Sequence, residues 1–190
     1  METLILHPNS TAQWHALVNE AEKQSTISLG EDLESYLVFL LMRFMSKSDM
    51  ASSVLAMDFL RACETEGSLR SDLLQDIGDK CLLFSGLFPG RAKRRRVHIS
   101  YFVNLGQNAY YSLANLDKRE GEAKLHNSLS VKFVPLMDVL LAMRQSHKDL
   151  LPLEAVELWQ ETRSTQALST MKRYTGGVVV LGQQEGEVRH

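Results

Sequence analysis

The chain has 190 residues, of which 44% are hydrophobic and 23% are charged, and its formal net charge is −2 at pH 7. These are the proportions of a globular domain that buries a core without needing a metal ion or a disulfide. The small net charge excludes a general attraction to nucleic acid or lipid, so any contact with an anionic partner must be local.

Helical patterns dominate the first part of the chain. Residues 3–6 are predicted to form a short extended segment, and a helix is predicted to follow over residues 10–24, with a capping-box signature at its start. The next predicted helix, Glu31–Ser46, is apolar on almost every side, so we expect it in the middle of a helical bundle. A third helix is predicted over residues 49–66, and Gly67 is well placed to end it.

Two predicted helices enclose a run of basic residues in the middle of the chain. Apolar side chains recur at three- and four-residue spacing over residues 68–88, which indicates a fourth helix before a Pro-Gly break. The basic run, residues 91–96, follows this break. Ser100 is then the expected N-cap of a fifth helix, which ends near Asn115.

The last third of the chain holds three further predicted helices and a predicted strand. One helix ends near Lys132, another starts at or is kinked by Pro135, and the last covers residues 152–173. Residues 178–181 resemble a short strand between glycines. This strand can pair with residues 3–6, because chain termini often lie close together, or either strand can pair with a partner's strand.

These patterns predict an all-α fold. We expect a single domain over residues 1–190, built as a bundle of six to eight helices, with residues 1–8 and 175–190 as peripheral extended ends. A minor two-stranded pairing of the two ends is the only β-structure expected. The helices Glu31–Ser46 and Ser68–Phe88 have apolar character on more than one face and should be central.

The basic run concentrates positive charge at one place in the sequence. It holds five of the 21 Lys and Arg, which leaves 16 cations against 23 acids, a net charge of −7, for the rest of the chain. The planar guanidinium suits bidentate contact with phosphate, and the N-terminus of the fifth helix would add backbone amides. Alternatively, the cations pair with an acidic stripe of the chain itself, formed by Asp72, Asp76 and Asp79. We call the five cations the basic segment: Arg91, Lys93, Arg94, Arg95 and Arg96.

A second stripe, of tyrosine and asparagine, runs along the fifth helix beside its apolar face. Amides can bind hydrogen-bonding edges, and tyrosines can stack on flat groups or anchor a protein partner. Alternatively, the stripe is a partly solvated flank, or its amides are buried in interhelical hydrogen bonds. Gly106 would allow another backbone to approach closely. Spacings of three and four residues place these side chains on one face, named here the Tyr/Asn face: Tyr101, Asn104, Asn108, Tyr111 and Asn115.

The sequence carries no recognised motif for catalysis or cofactor binding. It has no phosphate-binding loop, dinucleotide fingerprint, nucleophile elbow, zinc-protease motif or di-iron signature. We therefore assign no catalytic residue, metal ligand or cofactor. Cys63 and Cys81 fall within apolar helical patterns and are expected to be buried, reduced thiols.

We therefore predict a non-enzymatic helical interaction or regulatory module that binds a protein or an anionic partner. Two other functions stay open: a phosphate-specific binder of nucleic acid or a nucleotide, and a helical enzyme or small-molecule carrier. The pocket of the latter would be lined by Asp79, Cys81, His98, Tyr101 and Tyr110. The candidate contact residues of the module are Arg91, Lys93, Arg94, Arg95, Arg96, His98, Tyr101, Asn104, Asn108 and Tyr111.

The expected partners are a protein or a second copy of the chain, with nucleic acid or another polyanion as the alternative. The surface around Trp159 and the strand at 178–181 are candidate dimer contacts. The longest apolar run, residues 36–45, has ten residues and contains Arg43, which is half the length of a membrane span. We expect no membrane span, no signal peptide and a cytoplasmic location.

Overall fold

The computed structural model describes residues 8–46, 55–89, 98–145 and 150–175. Over these ranges the chain forms nine α-helices and no strand, and the predicted pairing of residues 3–6 with 178–181 lies outside them. The helices are α1 Pro8–Ser25, α2 Glu31–Ser46, α3 Leu55–Glu64, α4 Ser68–Leu87, α5 Ile99–Leu116, α6 Glu120–Val131, α7 Phe133–Gln145, α8 Pro152–Thr162 and α9 Thr165–Tyr174.

The centre of the fold is α4, which packs against α5, α7 and α3 and most extensively along α5. Glycines let these helices lie close together. A Cβ added at Gly78 of α4 would stand 2.6 Å from the ring of Tyr110. A Cβ at Gly106 of α5 would meet the Phe133 ring and, at 2.8 Å, the Cβ of Cys81. Gly106 therefore makes room for side chains of α4 and α7, rather than for another backbone as predicted.

The prediction of a central position for α2 is wrong. Its buried side, which includes Leu37 and Leu41, packs on α1 and α6, but 62% of Phe39 and 69% of Met45 are exposed. An apolar sequence shows that burial would be favourable, but it does not guarantee that another element covers every face.

The helix predicted over residues 152–173 is in fact two helices, α8 and α9, because the chain turns at Arg163. The backbone of Arg163 is left-handed, with a φ of 59°. Ser164 then caps α9, and the buried carboxylate of Asp138 on α7 accepts hydrogen bonds from the hydroxyls of Ser164 and Thr165 at 2.5 and 2.9 Å. This break takes the number of helices in the described residues above the predicted six to eight.

A single cluster of buried apolar residues includes members of all nine helices, from Val18 of α1 to Ala167 of α9. Its largest fully buried side chains include Tyr110 of α5 and Phe133 of α7. That residues 1–190 form a single domain stays a prediction. None of the described helices has the length and apolar character that a membrane crossing requires.

Candidate functional site

The basic segment lies outside the described residues, so its predicted role is untested. Arg91, Lys93, Arg94, Arg95 and Arg96 all fall between residues 89 and 98, where two described ranges end and begin. The structure does describe the residues that follow it directly, from His98 through the whole of α5.

The Tyr/Asn face lies at the protein surface. The side chains of Tyr101 and Tyr111 are 38% and 56% exposed, and Asn104 and Asn108 are exposed between them. The last member, Asn115, is also exposed and donates from its amide to the carbonyl of Tyr111 at 3.0 Å. The alternative in which these amides are buried between helices is therefore wrong.

The opposite face of α5 explains why the Tyr/Asn face points outward. Phe102, Ala109 and Leu113 are buried against α4 and α6, the two helices with which α5 makes its most extensive contacts. The 18 residues of α5 include no Asp, Glu, Lys or Arg. The face is therefore an uncharged surface of phenol rings and amides on a helix that the core holds in place.

A carboxylate from α8 occupies the N-terminus of α5. Glu161 accepts a hydrogen bond from the backbone amide of Ser100 at 3.1 Å, and its other oxygen lies 2.6 Å from Nδ1 of His98. The predicted cap at Ser100 is wrong, because α5 begins one residue earlier, at Ile99, and a distant acid satisfies the first turn. The amides expected to face a phosphate thus already face a negative charge of the chain itself.

A buried carboxylate cluster lies beneath α5. Asp79 of α4 is 0% exposed and accepts hydrogen bonds from the hydroxyls of Tyr36 at 2.6 Å and Tyr110 at 2.7 Å. The guanidinium of Arg43 on α2 forms an ion pair with the same carboxylate. Burial raises the pKa of Asp79 above its ordinary value, whereas Arg43 and the two hydroxyls act in the opposite direction. The cluster joins α2, α4 and α5.

This cluster removes Asp79 from the acidic stripe predicted to neutralise the basic segment. Asp72 and Asp76 are exposed as that alternative requires, but Asp79 is buried and paired with α2. Asp76 in turn forms an ion pair of 2.5 Å with Lys80, one turn further along α4. Internal neutralisation by all three acids is therefore wrong.

The five residues predicted to line a catalytic or carrier pocket do not face a common space. Asp79, Cys81 and Tyr110 are buried in the packed core, whereas His98 and Tyr101 are exposed. Burial raises the pKa of the Cys81 thiol, which keeps it protonated and unreactive.

The prediction that Cys63 is buried is wrong, because this residue is exposed on α3. The buried residue on that turn is its neighbour Ala62. Both residues fit an apolar helical pattern, and the packing of α3 on α4 decides which of them faces the core.

A cleft of about 320 Å³ opens between the start of α2 and the side of α6. Its charged lining residues are Glu31, Asp32, Lys124 and Lys132, so acids and bases balance. None of the predicted contact residues lines it, and the charge pattern favours neither an anionic nor a cationic ligand.

Sequence reasoning missed Glu161, Tyr36 and Arg43. Tyr36 and Arg43 are seven residues apart, a spacing that puts two side chains on one face of a helix and could have indicated a shared target. No comparable signal exists for Glu161, which lies 61 residues from the amide it binds.

Within the described ranges, no group of three or more His, Cys, Asp or Glu side chains is placed to hold a metal ion. A scan against protein-family models found no match to this chain, and searches of curated proteins and of solved structures found none either. The function must therefore be argued from the surface chemistry of the chain.

Proposed function

We propose that this protein is a non-enzymatic helical interaction module, which binds a protein or an anionic partner through the Tyr/Asn face and the adjoining basic segment. The observation that supports the proposal is the exposure of Tyr101 and Tyr111 on a helix with no charged residue. Interface centres are enriched in tyrosine and depleted of charge, whereas ordinary solvated helix faces carry Lys and Glu.

The support beneath the Tyr/Asn face favours binding. Tyr110, next to the exposed Tyr111, is fully buried and donates to Asp79, so α5 is fixed to α4 directly behind the proposed contact surface. A surface that is already ordered loses little conformational entropy on binding. Tyrosine adds contact area and a hydroxyl at the cost of only two side-chain torsions.

The experiment compares the loss of two tyrosines from the Tyr/Asn face with the loss of an exposed tyrosine elsewhere on the surface. Full-length tagged protein is purified from its own cells as wild type, as Tyr101→Ala/Tyr111→Ala, and as Tyr174→Ala, whose tyrosine is 54% exposed on α9. We expect a co-purifying partner whose recovery falls at least about tenfold in the double variant. Equal recovery of every co-purifying protein and polyanion from the double variant and the Tyr174→Ala control would contradict the proposal. A cytoplasmic location belongs to the same proposal.

A phosphate-specific binder is the second candidate, favoured by the five cations of the basic segment. The carboxylate of Glu161 at the N-terminus of α5 weighs against any phosphate contact made by that helix end. The candidate predicts that affinity for an immobilised polyanion falls as the salt concentration rises. On duplex DNA, the logarithm of the binding constant should fall by about 0.9 per tenfold increase in salt for each phosphate contact.

The test compares two triple variants, each of which lacks three cations from a different part of the chain. Arg94→Ala/Arg95→Ala/Arg96→Ala should elute at lower salt than a control that replaces exposed Lys118, Arg119 and Lys132 by Ala. Coincident elution of the two triple variants would exclude a specific role for the basic segment in polyanion binding.

A further inference from the structure

The sequence of α5 is partly palindromic about Gly106. Residues equally far from this glycine are identical at three pairs of positions and aromatic at a fourth. The aromatic pair is buried, whereas the tyrosine and asparagine pairs are exposed. The pairs are Ser100 with Ser112, Tyr101 with Tyr111, Asn104 with Asn108, and Phe102 with Tyr110.

This symmetry would set like residues opposite each other if α5 paired with a second copy of itself in the antiparallel direction. In a two-fold dimer the same patch meets itself, so each side chain faces the one at an equal distance beyond the axis. An axis at the level of Gly106 would place Tyr101 opposite Tyr111 of the second copy, and Asn104 opposite Asn108 of the second copy.

The spacing of the exposed residues fits the same arrangement. Tyr101, Asn104, Asn108 and Tyr111 are separated by three, four and three residues, which is the a/d spacing of a coiled-coil seam. In antiparallel packing the a positions of one helix face the d positions of the other. With Tyr101 and Asn108 at a and the other two at d, both facing pairs are a–d pairs.

The chemistry of the face suits a second copy. Two facing asparagines can each donate an amide hydrogen to the other's carbonyl oxygen, and two facing tyrosine rings can stack with an offset. Antiparallel helices also set the positive end of one helix dipole beside the negative end of the other. The 18 residues of α5 contain no charge that would oppose self-association.

We infer that the Tyr/Asn face is the contact surface of a homodimer, in which two α5 helices pair antiparallel across a two-fold axis at Gly106. The inference rests on the proposed function and names its partner as a second copy of the chain. Ten residues separate Tyr101 from Tyr111, about 15 Å along the helix. One such face buries less than the standard interface of about 800 Å² per partner, so the dimer should be weak and reversible.

Sedimentation equilibrium of the full chain tests the inference by measuring how charge substitutions on the Tyr/Asn face change self-association. Wild type should shift toward twice the monomer mass as the concentration rises to about 100 µM. Asn104→Asp/Asn108→Asp places two carboxylates opposite two carboxylates, and should weaken association at least about tenfold. In Asn104→Asp/Asn108→Lys, each carboxylate would face an ammonium group of the second copy, but only in this antiparallel register. This variant should therefore restore association. Asn127→Asp, at an exposed position on α6, should leave association unchanged.

Disulfide trapping tests the direction of the helices. In a Cys63→Ser background, which leaves only the buried Cys81, Asn104→Cys and Asn108→Cys proteins carry tags of different mass. The inference predicts a cross-linked dimer in the mixture that contains one chain of each kind, and little cross-linking of either protein alone. Cross-linking of either protein with itself, to the same extent as in the mixture, would overturn the antiparallel arrangement.

The outcomes separate this inference from the proposed function. If wild type stays monomeric and the mixed cysteine proteins do not cross-link, the homodimer is wrong. If a different protein then co-purifies with Tyr174→Ala but not with Tyr101→Ala/Tyr111→Ala, the proposed function still stands. If no interaction depends on those tyrosines, both are wrong. Circular dichroism of each variant verifies that the helices remain folded.

Discussion

The hydroxyl of Tyr110 donates a 2.7 Å hydrogen bond to the carboxylate of Asp79, which has no exposed surface. Tyr110 lies on the buried side of α5, and the next residue, Tyr111, is 56% exposed. Two successive tyrosines therefore have different tasks: the first fixes α5 to α4, and the second belongs to the proposed contact surface. The stability of the interior cluster and the order of the surface are thus connected through one helix.

Removing the buried carboxylate should destabilise the fold strongly. Asp79→Ala leaves the hydroxyls of Tyr36 and Tyr110 without their acceptor and removes the carboxylate that pairs with Arg43. We expect the free energy of unfolding, measured by urea denaturation, to fall by about 3 kcal/mol. The control Asp76→Ala removes an exposed carboxylate of the same helix and should cost less than about 1 kcal/mol. Similar losses in both variants would show that the cluster contributes no more than a surface ion pair.

The close packing at Gly106 should not tolerate a methyl group. A Cβ at this position would lie within 2.8 Å of the Cβ of Cys81 and against the ring of Phe133. We expect Gly106→Ala to lower the free energy of unfolding by about 1–3 kcal/mol through overpacking. Gly121→Ala is the matched control, because no atom lies within 4 Å of its added methyl, and alanine favours a helix by up to about 1 kcal/mol. Equal stability of the two variants would contradict the packing described for α5.

The carboxylate of Asp138 should give the fold a recognisable pH dependence. Burial raises the pKa of Asp138, although the hydrogen bonds from Ser164 and Thr165 act to lower it. Because the pKa in the folded state lies above the unfolded value of about 4, folding favours the protonated form. The stabilising contribution is complete below the unfolded pKa and is lost as the pH rises through the folded pKa.

The comparison uses wild type and Asp138→Asn. The amide oxygen of asparagine can still accept from Thr165, while its NH₂ group faces the hydroxyl of Ser164, so the cap of α9 is retained. We expect wild type to gain stability relative to this variant as the pH is lowered from 7 toward 4, measured by urea unfolding at each pH. A difference that stays constant, or that changes in the opposite direction, would contradict a raised pKa at Asp138.

The sequence allowed the prediction of structure that local patterns determine. The spacing of apolar residues predicted α4 and α5. Gly67, however, was predicted to end α3, whereas α3 already ends at Glu64 and Gly67, with a φ of 71°, is the N-cap of α4. The same spacing predicted a separate Tyr/Asn face on α5, and the exposure of Tyr111 agrees with it. These features depend on residues within one or two turns of each other.

Features that depend on distant residues could not be predicted. Ser164 is a residue type that favours the start of a helix, but the left-handed turn at Arg163 before it is supported by Asp138, which lies 26 residues before Ser164. Likewise, Asp79 was assigned to a surface stripe or to a pocket, and its buried hydrogen bond could not be predicted because its partner Tyr36 lies 43 residues away in sequence. The exposure of Phe39 depends on which helices cover α2, and composition carries no information about this.

Footprinting of two tyrosines inside the cell tests the central claim most directly, because Tyr111 and Tyr174 have nearly the same exposure, 56% and 54%. Hydroxyl-radical oxidation of the purified chain at high dilution should modify both side chains to a similar extent. In intact cells, where a partner or a second copy covers the Tyr/Asn face, we expect oxidation of Tyr111 to fall severalfold relative to Tyr174. An unchanged ratio of the two oxidation rates in cells and in dilute solution would show that nothing binds there, and would contradict the account.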